Sequence, residues 1–150
     1  MQKLNPAAYD FKINKLEQSS EIFDVIRKKY VALTPEEWVR QHFIKFLTTE
    51  KGYPSSLISV EMALKYNGMK RRSDVVVFGR DAKPLLLVEC KAPEVKISPA
   101  VFEQIARYNM TFKVKYLIVT NGVNSYCSII NFEEQSYRFM ENIPTYNELI

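Results

Sequence analysis

Ser73–Pro93, SDVVVFGRDAKPLLLVECKAP, decides how this chain is read. Two apolar runs, Val75–Phe78 and Leu85–Val88, flank a turn over Gly79–Pro84 and predict a pair of strands. Both are short and aliphatic, the composition of central strands covered on both faces. The apolar pattern then breaks at Glu89 and Lys91. Residues two apart on a strand share a face, so these two opposite charges emerge together. Asp74 opens the preceding strand, and a tight hairpin brings it alongside Glu89. One reading is an ion pair at a strand end, worth about 0–1 kcal/mol if exposed. The other is a divalent-cation site, with carboxylate oxygens from Asp74 and Glu89 and a positive charge from Lys91. Mg²⁺ takes oxygen ligands, usually one or two carboxylates completed by water and substrate phosphate.

The 150 residues make one ordinary domain with a single core. A hydrophobic fraction of 47% and a charged fraction of 25% are those of a globular protein. The net charge of +4 and sequence pI near 9.0 suit a polyanionic partner without demanding one. Cys90 and Cys127 form no disulfide framework, and Cys90, between two charges, is expected to point to the apolar side as a reduced thiol. No apolar run reaches the roughly 18 residues of a membrane span, and the N-terminus does not read as a signal peptide, so no membrane partner and a cytoplasmic location are expected.

Around this centre the remaining elements follow from periodicity and punctuation. Tyr9–Leu16 alternates, a polar turn spans Gln18–Ser20, and Ile22–Val31 follows, so residues 1–33 are expected to form a β-hairpin extension. Thr34-Pro35-Glu36-Glu37 is a helix start: threonine caps, proline takes the first position, and acids occupy the first turn. That helix is expected to run to about Lys51 before Gly52, with Val39, Phe43, Phe46 and Leu47 as its buried stripe. His42, with no second histidine near it, is expected at the surface or boundary, and a zinc site is not expected.

Leu57–Tyr66 and Met69–Phe78 are expected strands around an Asn67-Gly68 turn, with Lys65, Lys70, Arg71 and Arg72 as a basic run leading into Asp74. A second helix is expected from about Ser98 to Phe112, with Val101, Ile105, Tyr108 and Phe112 as its apolar stripe and Gln104 beside Tyr108. Lys115–Thr120 is another buried strand. Because a helix separates it from Leu85–Lys91, the two are expected to be parallel, joined by a right-handed crossover. Ser125–Asn131 and Ser136–Met140 close as a hairpin, and the tail Asn142–Ile150 is expected to be irregular. The fold class is therefore α/β (α+β), a central mixed sheet flanked by helices in the order αβββαβ. Residues 34–132 form its core and 133–150 a final strand and tail.

With Asp74, Glu89-x-Lys91 and Gln104-x-x-x-Tyr108 in that order on such a frame, the chain resembles the PD-(D/E)XK nuclease superfamily. More closely, it resembles the N-terminal nuclease domain of type I restriction enzyme R subunits and its stand-alone relatives. The resemblance rests on Thr34-Pro35-Glu36-Glu37-x-Val39-Arg40-Gln41, Arg71-x-x-Asp74, Val88-Glu89-Cys90-Lys91-Ala92-Pro93, Gln104-x-x-x-Tyr108 and Thr120-Asn121-Gly122. It covers about residues 34–132. Ser73 stands where the superfamily name has proline.

The resemblance implies a restriction-type DNA endonuclease that uses Mg²⁺, with Mn²⁺ as an alternative ion. Asp74 and Glu89 would hold the metal, the Cys90 backbone carbonyl would be a third ligand, and Glu36 would be the first-helix acid, with Glu37 as the fallback. Lys91 would orient or help deprotonate the attacking water. Gln104 and Tyr108 would lie beside the site, and Lys70, Arg71 and Arg72 would meet DNA. No Gly-x-x-x-x-Gly-Lys-[Ser/Thr] loop occurs, so no ATP site is expected in this chain. Motor or specificity functions would come from separately encoded restriction-system subunits. Two alternatives stay open: a DNA-binding or scaffold module without turnover, and a structure-selective repair nuclease.

Overall fold

The computed structural model describes residues 1–4 and 9–150, with Gln2 described by its backbone; residues 5–8 of the expected N-terminal extension lie outside the described residues. The first elements are β1 (Gln2–Lys3), β2 (Ile13–Lys15), β3 (Ser20–Asp24), β4 (Lys29–Ala32) and α1 (Pro35–Glu50). Next come β5 (Ile58–Tyr66), β6 (Met69–Phe78), β7 (Pro84–Cys90) and α2 (Pro99–Met110). The chain ends with β8 (Tyr116–Thr120), β9 (Asn124–Asn131), β10 (Ser136–Met140) and α3 (Tyr146–Leu149). The main sheet runs β9-β8-β7-β6-β5, with β1 and β10 sharing the outer edge of β9. The result is a mixed α/β sheet six strands wide. β7 and β8 pair in parallel, as the intervening helix demands, and every other pairing in this sheet is antiparallel.

Helices cover both faces. On one side α1 places Val39, Phe43, Ile44 and Leu47 against Val75, Val77, Leu86, Val88, Cys90 and Ile118. On the other, Phe102 and Ala106 of α2 pack with Val76, Leu87, Leu117 and Val119. The alternation along β7 and β8 therefore feeds two cores, which is why both strands read as continuous apolar runs. Thr34 caps α1 by accepting the Glu37 N–H at 3.1 Å, and Ser98 caps α2 by accepting that of Val101 at 3.2 Å. Each such cap is worth about 1 kcal/mol. The Asn121-Gly122 turn passes under α1: Gly122 has φ +86°, and a Cβ there would lie 3.2 Å from both Trp38 and Val39. No described helix is long and apolar enough to cross a membrane.

Five expectations change. The expected N-terminal hairpin is present as β2–β3, but its long second strand is divided, so that β4 adds a third strand to make the antiparallel sheet β2-β3-β4. Asp24 breaks the expected long second strand by accepting the backbone N–H groups of Ile26 (2.8 Å) and Arg27 (3.1 Å), which folds residues 25–28 into a turn. The tail is not wholly irregular. Thr145 and Glu148 form a capping box, and Ile143, Tyr146 and Leu149 are buried, with Tyr146 Oη donating to the Phe78 carbonyl at 3.0 Å. Along α2 the buried positions are Phe102, Ala106 and Asn109; of the expected stripe, Phe112 is buried just past the helix, Val101 and Ile105 are half-buried, and Tyr108 is 47% exposed. His42 is buried, its ring 4.0 Å from Trp38 and 4.6 Å from Phe11 between centroids, with Nδ1 2.7 Å from the Trp38 carbonyl. Burial lowers its pKa from the ordinary histidine value. The fifth change, at the first-helix acid, belongs to the site.

Candidate active site

Two registers converge on one row of acids. The pairing of Val75 with Val88 places Asp74 one step on, opposite Glu89. The pairings of Val60 with Val75 and Met62 with Ser73 place Glu61 opposite Asp74. Opposed residues on adjacent strands have Cβ atoms about 5 Å apart, so three like charges in a row need compensation. The Asp74 and Glu89 carboxyls come within hydrogen-bonding reach of each other. Burial pushes Glu89 up to about 7; Arg71 and Lys91 pull it down, and Asp74 pushes it further up. A carboxyl in that position gains from any cation placed between it and its neighbour.

Arginines meet the acids from both sides of the sheet. Arg71 pairs its Nη2 with Glu89 Oε1, donates through Nη1 to Asn109 Oδ1, and lies 4.8 Å above the Tyr108 ring. On the α1 side, Arg40 is 5% exposed and bridges Glu37 Oε1 (Nη1, 2.9 Å) and Asp74 Oδ1 (Nη2, 3.3 Å). The other Asp74 oxygen accepts the Cys90 N–H at 2.8 Å. Glu37 also accepts from Arg27 Nη2 at 2.7 Å and Gln41 Nε2 at 2.9 Å. Arg27 is in turn anchored on fully buried Asp24. Burial alone would raise the Asp24 carboxyl, but hydrogen bonds from Arg27 outweigh it and hold Asp24 below its ordinary value. Glu61 sits more loosely, 3.5–3.8 Å from Arg27, Arg40 and Arg72. Its φ of +54° interrupts the β5–β6 ladder. At this residue the strand exchanges sides: Ile58 packs in the α1-side core and Leu64 in the α2-side core, although both are even-numbered.

Residues 35–144 match the family model described as the type I restriction enzyme R protein N terminus. The chain belongs to this family. A solved structure, the fragment of a putative HsdR subunit of a type I restriction enzyme from Vibrio vulnificus YJ016, superposes with a TM-score of 0.54 at 19% identity. The match covers 78% of this chain and 24% of that one. At that identity the likeness supports the fold. None of the curated proteins compared with the chain matches it. Glu37, Asp74, Glu89 and Lys91 all fall inside the span shared with R protein N termini, whereas Arg27 and the β2-β3-β4 sheet precede it.

Within this R protein N-terminal domain the expected site residues divide. Asp74 and Glu89 are brought together. Lys91 follows directly after β7, its N–H bonded to the Thr120 carbonyl at 2.8 Å, and among the described residues its ammonium forms no ion pair. Cys90 is buried in the α1-side core, as expected. Glu36 is exposed, and the first-helix acid facing the cluster is Glu37, because Thr34 starts the helix one residue too early for Glu36 to point inward. Arg71 is committed to Glu89 and α2 rather than free for a phosphate, while Arg72 and Lys70 are exposed. Tyr108 reaches the site through Arg71, and Gln104, also exposed, makes no hydrogen bond among the described residues.

The sequence reading missed Asp24, Arg27 and Glu61, and it assigned Arg40 no role. Arg40 had a signal, its i,i+3 spacing from Glu37. So had Glu61, a charge inside a strand. Arg27 carried none, because only the folded turn brings it to the helix.

The donor chemistry fits a hard divalent cation. Two adjacent carboxylates are the usual protein share of a Mg²⁺ shell that substrate and water complete. Among the described residues no three His, Cys, Asp or Glu side chains are grouped as a metal cage. Arg40 and Arg71 occupy the oxygens that such a cage would need.

Proposed function

We propose that this domain is a Mg²⁺-dependent deoxyribonuclease of the PD-(D/E)XK type, serving a type I restriction system in the cytoplasm. The observation that carries the reading is the Asp74–Glu89 carboxyl pair at the rim of the sheet, with Lys91, whose ammonium forms no ion pair among the described residues, two residues beyond. Asp74 and Glu89 would hold the ion, with the Cys90 carbonyl as a third oxygen. When bound, Mg²⁺ supplies Lewis-acid polarisation of a phosphate and a more acidic water. Lys91 would orient a water for in-line attack and would neutralise charge building on the phosphate oxygens. Arg40 and Glu37 fix Asp74 from behind, and Arg71 does the same for Glu89.

Replacing Glu89 by Gln keeps the shape and removes the charge. Isothermal calorimetry with MgCl₂ is expected to show affinity weakened by about tenfold or more, since even outer-shell partners of metal ligands cost 10–100-fold. Circular dichroism should be unchanged. Equal Mg²⁺ affinity in the two proteins removes Glu89 from the ligand set. A second reading, a DNA-binding module without turnover, draws on the full pairing of both carboxylates with arginine. It predicts DNA binding with no Mg²⁺-dependent strand cleavage.

A further inference from the structure

We propose that the outer half of the β5–β6 hairpin is a docking arm whose basic face receives the phosphate backbone of duplex DNA. β7 pairs with β6 only over Val75–Phe78, so Met62–Ser73 extends past it as a two-stranded ribbon. That stretch, MALKYNGMKRRS, contains no acid.

Register sorts its side chains. Lys65 lies opposite Lys70 and Ala63 opposite Arg72, so these four share one face, and all four are exposed. The other face carries Leu64, packed in the α2-side core, and Arg71, turned to Asn109 and Tyr108. Core-directed and solvent-directed charge are thus separated along one ribbon.

The Lys65–Lys70 pair is the informative feature. Like charges directly opposite each other destabilise a hairpin, and among the described residues neither lysine forms an ion pair. A row of phosphates relieves that repulsion and gains counterion release at the same time. Arg72, its side chain 72% exposed, donates through Nε to the Glu61 carbonyl at 3.1 Å, which ties the basic face to the acidic row at Asp74. A two-stranded ribbon also fits the DNA major groove, about 12 Å wide.

This inference rests on DNA as the partner in the proposed function, but not on cleavage. The test is fluorescence anisotropy of a labelled DNA duplex with the full chain in EDTA, over a series of KCl concentrations. For the Lys65→Ala/Lys70→Ala double variant we expect weaker binding and a log K versus log[salt] slope shallower by about 2. Lys65→Glu creates an opposite-charge pair with Lys70. It is expected to raise the melting temperature while weakening DNA binding further, a split that a structural role does not produce. Lys15→Ala/Lys29→Ala, on the N-terminal sheet, should match wild type. A wild-type slope in the double variant, wild-type binding by Lys65→Glu, or a wild-type protein that does not bind duplex DNA each overturns the arm. A shallower slope in a protein that never nicks plasmid with Mg²⁺ establishes the arm and sinks only the cleavage reading.

Discussion

Lys91→Ala is expected to reduce Mg²⁺-dependent nicking of supercoiled plasmid by about 100-fold or more while leaving duplex binding in EDTA unchanged. Removing one preorganised charge-stabilising group from an active site costs about 10²–10³ in rate. Lys91 is suited to that role because, among the described residues, its ammonium forms no ion pair. The pairs that hold the two carboxyls in place come instead from Arg40 on α1 and Arg71 on β6. The loss of Lys91 should therefore appear in kcat and not in stability or KM. Lys91→Arg keeps the charge but changes its geometry, and should recover only part of the rate. Equal nicking by wild type and Lys91→Ala means that the activity comes from elsewhere, and the enzyme reading then fails.

The largest expected stability effect lies one layer behind. Arg40→Met leaves Glu37 and Asp74 without the guanidinium that bridges them at 2.9 and 3.3 Å. Glu37 is 7% exposed and retains Arg27 and Gln41, whereas among the described residues the donor left to Asp74 is the Cys90 N–H. Breaking a buried ion pair by removing one partner costs about 3–5 kcal/mol, and because the Asp74 side chain is 27% exposed the lower end of that range is expected. For a domain of this size that corresponds to a melting temperature lower by on the order of 10 °C. Arg40 Nε is itself buried without a partner among the described residues, so the wild-type arrangement is held by its carboxylates, Glu37 and Asp74 closely and Glu61 at 3.6 Å, rather than by full satisfaction of the arginine. An unchanged melting temperature in Arg40→Met would show the bridge to be energetically idle. Glu36→Gln, one residue before the buried acid, should change neither stability nor activity.

The legible part of this protein was whatever local chemistry encodes twice. The sheet from Ile58 to Asn131 declared itself through apolar runs, two Asn-Gly turns and helix caps at Thr34 and Ser98, and each of these stands in the structure. Asp74 and Glu89 stood out because the apolar run breaks at Glu89 and Asp74 opens the preceding strand; the register that pairs Val75 with Val88 sets them opposite each other. What escaped depended on distant partners. Glu36 and Glu37 are adjacent acids in one first turn, and only the packing of α1 onto the sheet decides which faces inward. Asp24 and Arg27 lie in a turn that looked like strand interior, because Ile22 and Ile26 continue an apolar pattern that Asp24 overrides with its own hydrogen bonds. The C-terminal helix was missed for the opposite reason: Pro144 read as a breaker, while Thr145 and Glu148 rebuild a helix start directly behind it. The side exchange at Glu61 has no sequence signature at all, since its left-handed backbone belongs to a residue type that seldom adopts it.

If Asp74 and Glu89 share one divalent ion, anomalous diffraction from crystals of the full chain grown with Mn²⁺ will show it. The expected result is a peak within bonding distance of both carboxylates, with the Arg71 guanidinium swung off Glu89. A density map without that peak, in which Arg71 still holds Glu89 and Arg40 still holds Asp74, would contradict a shared ion.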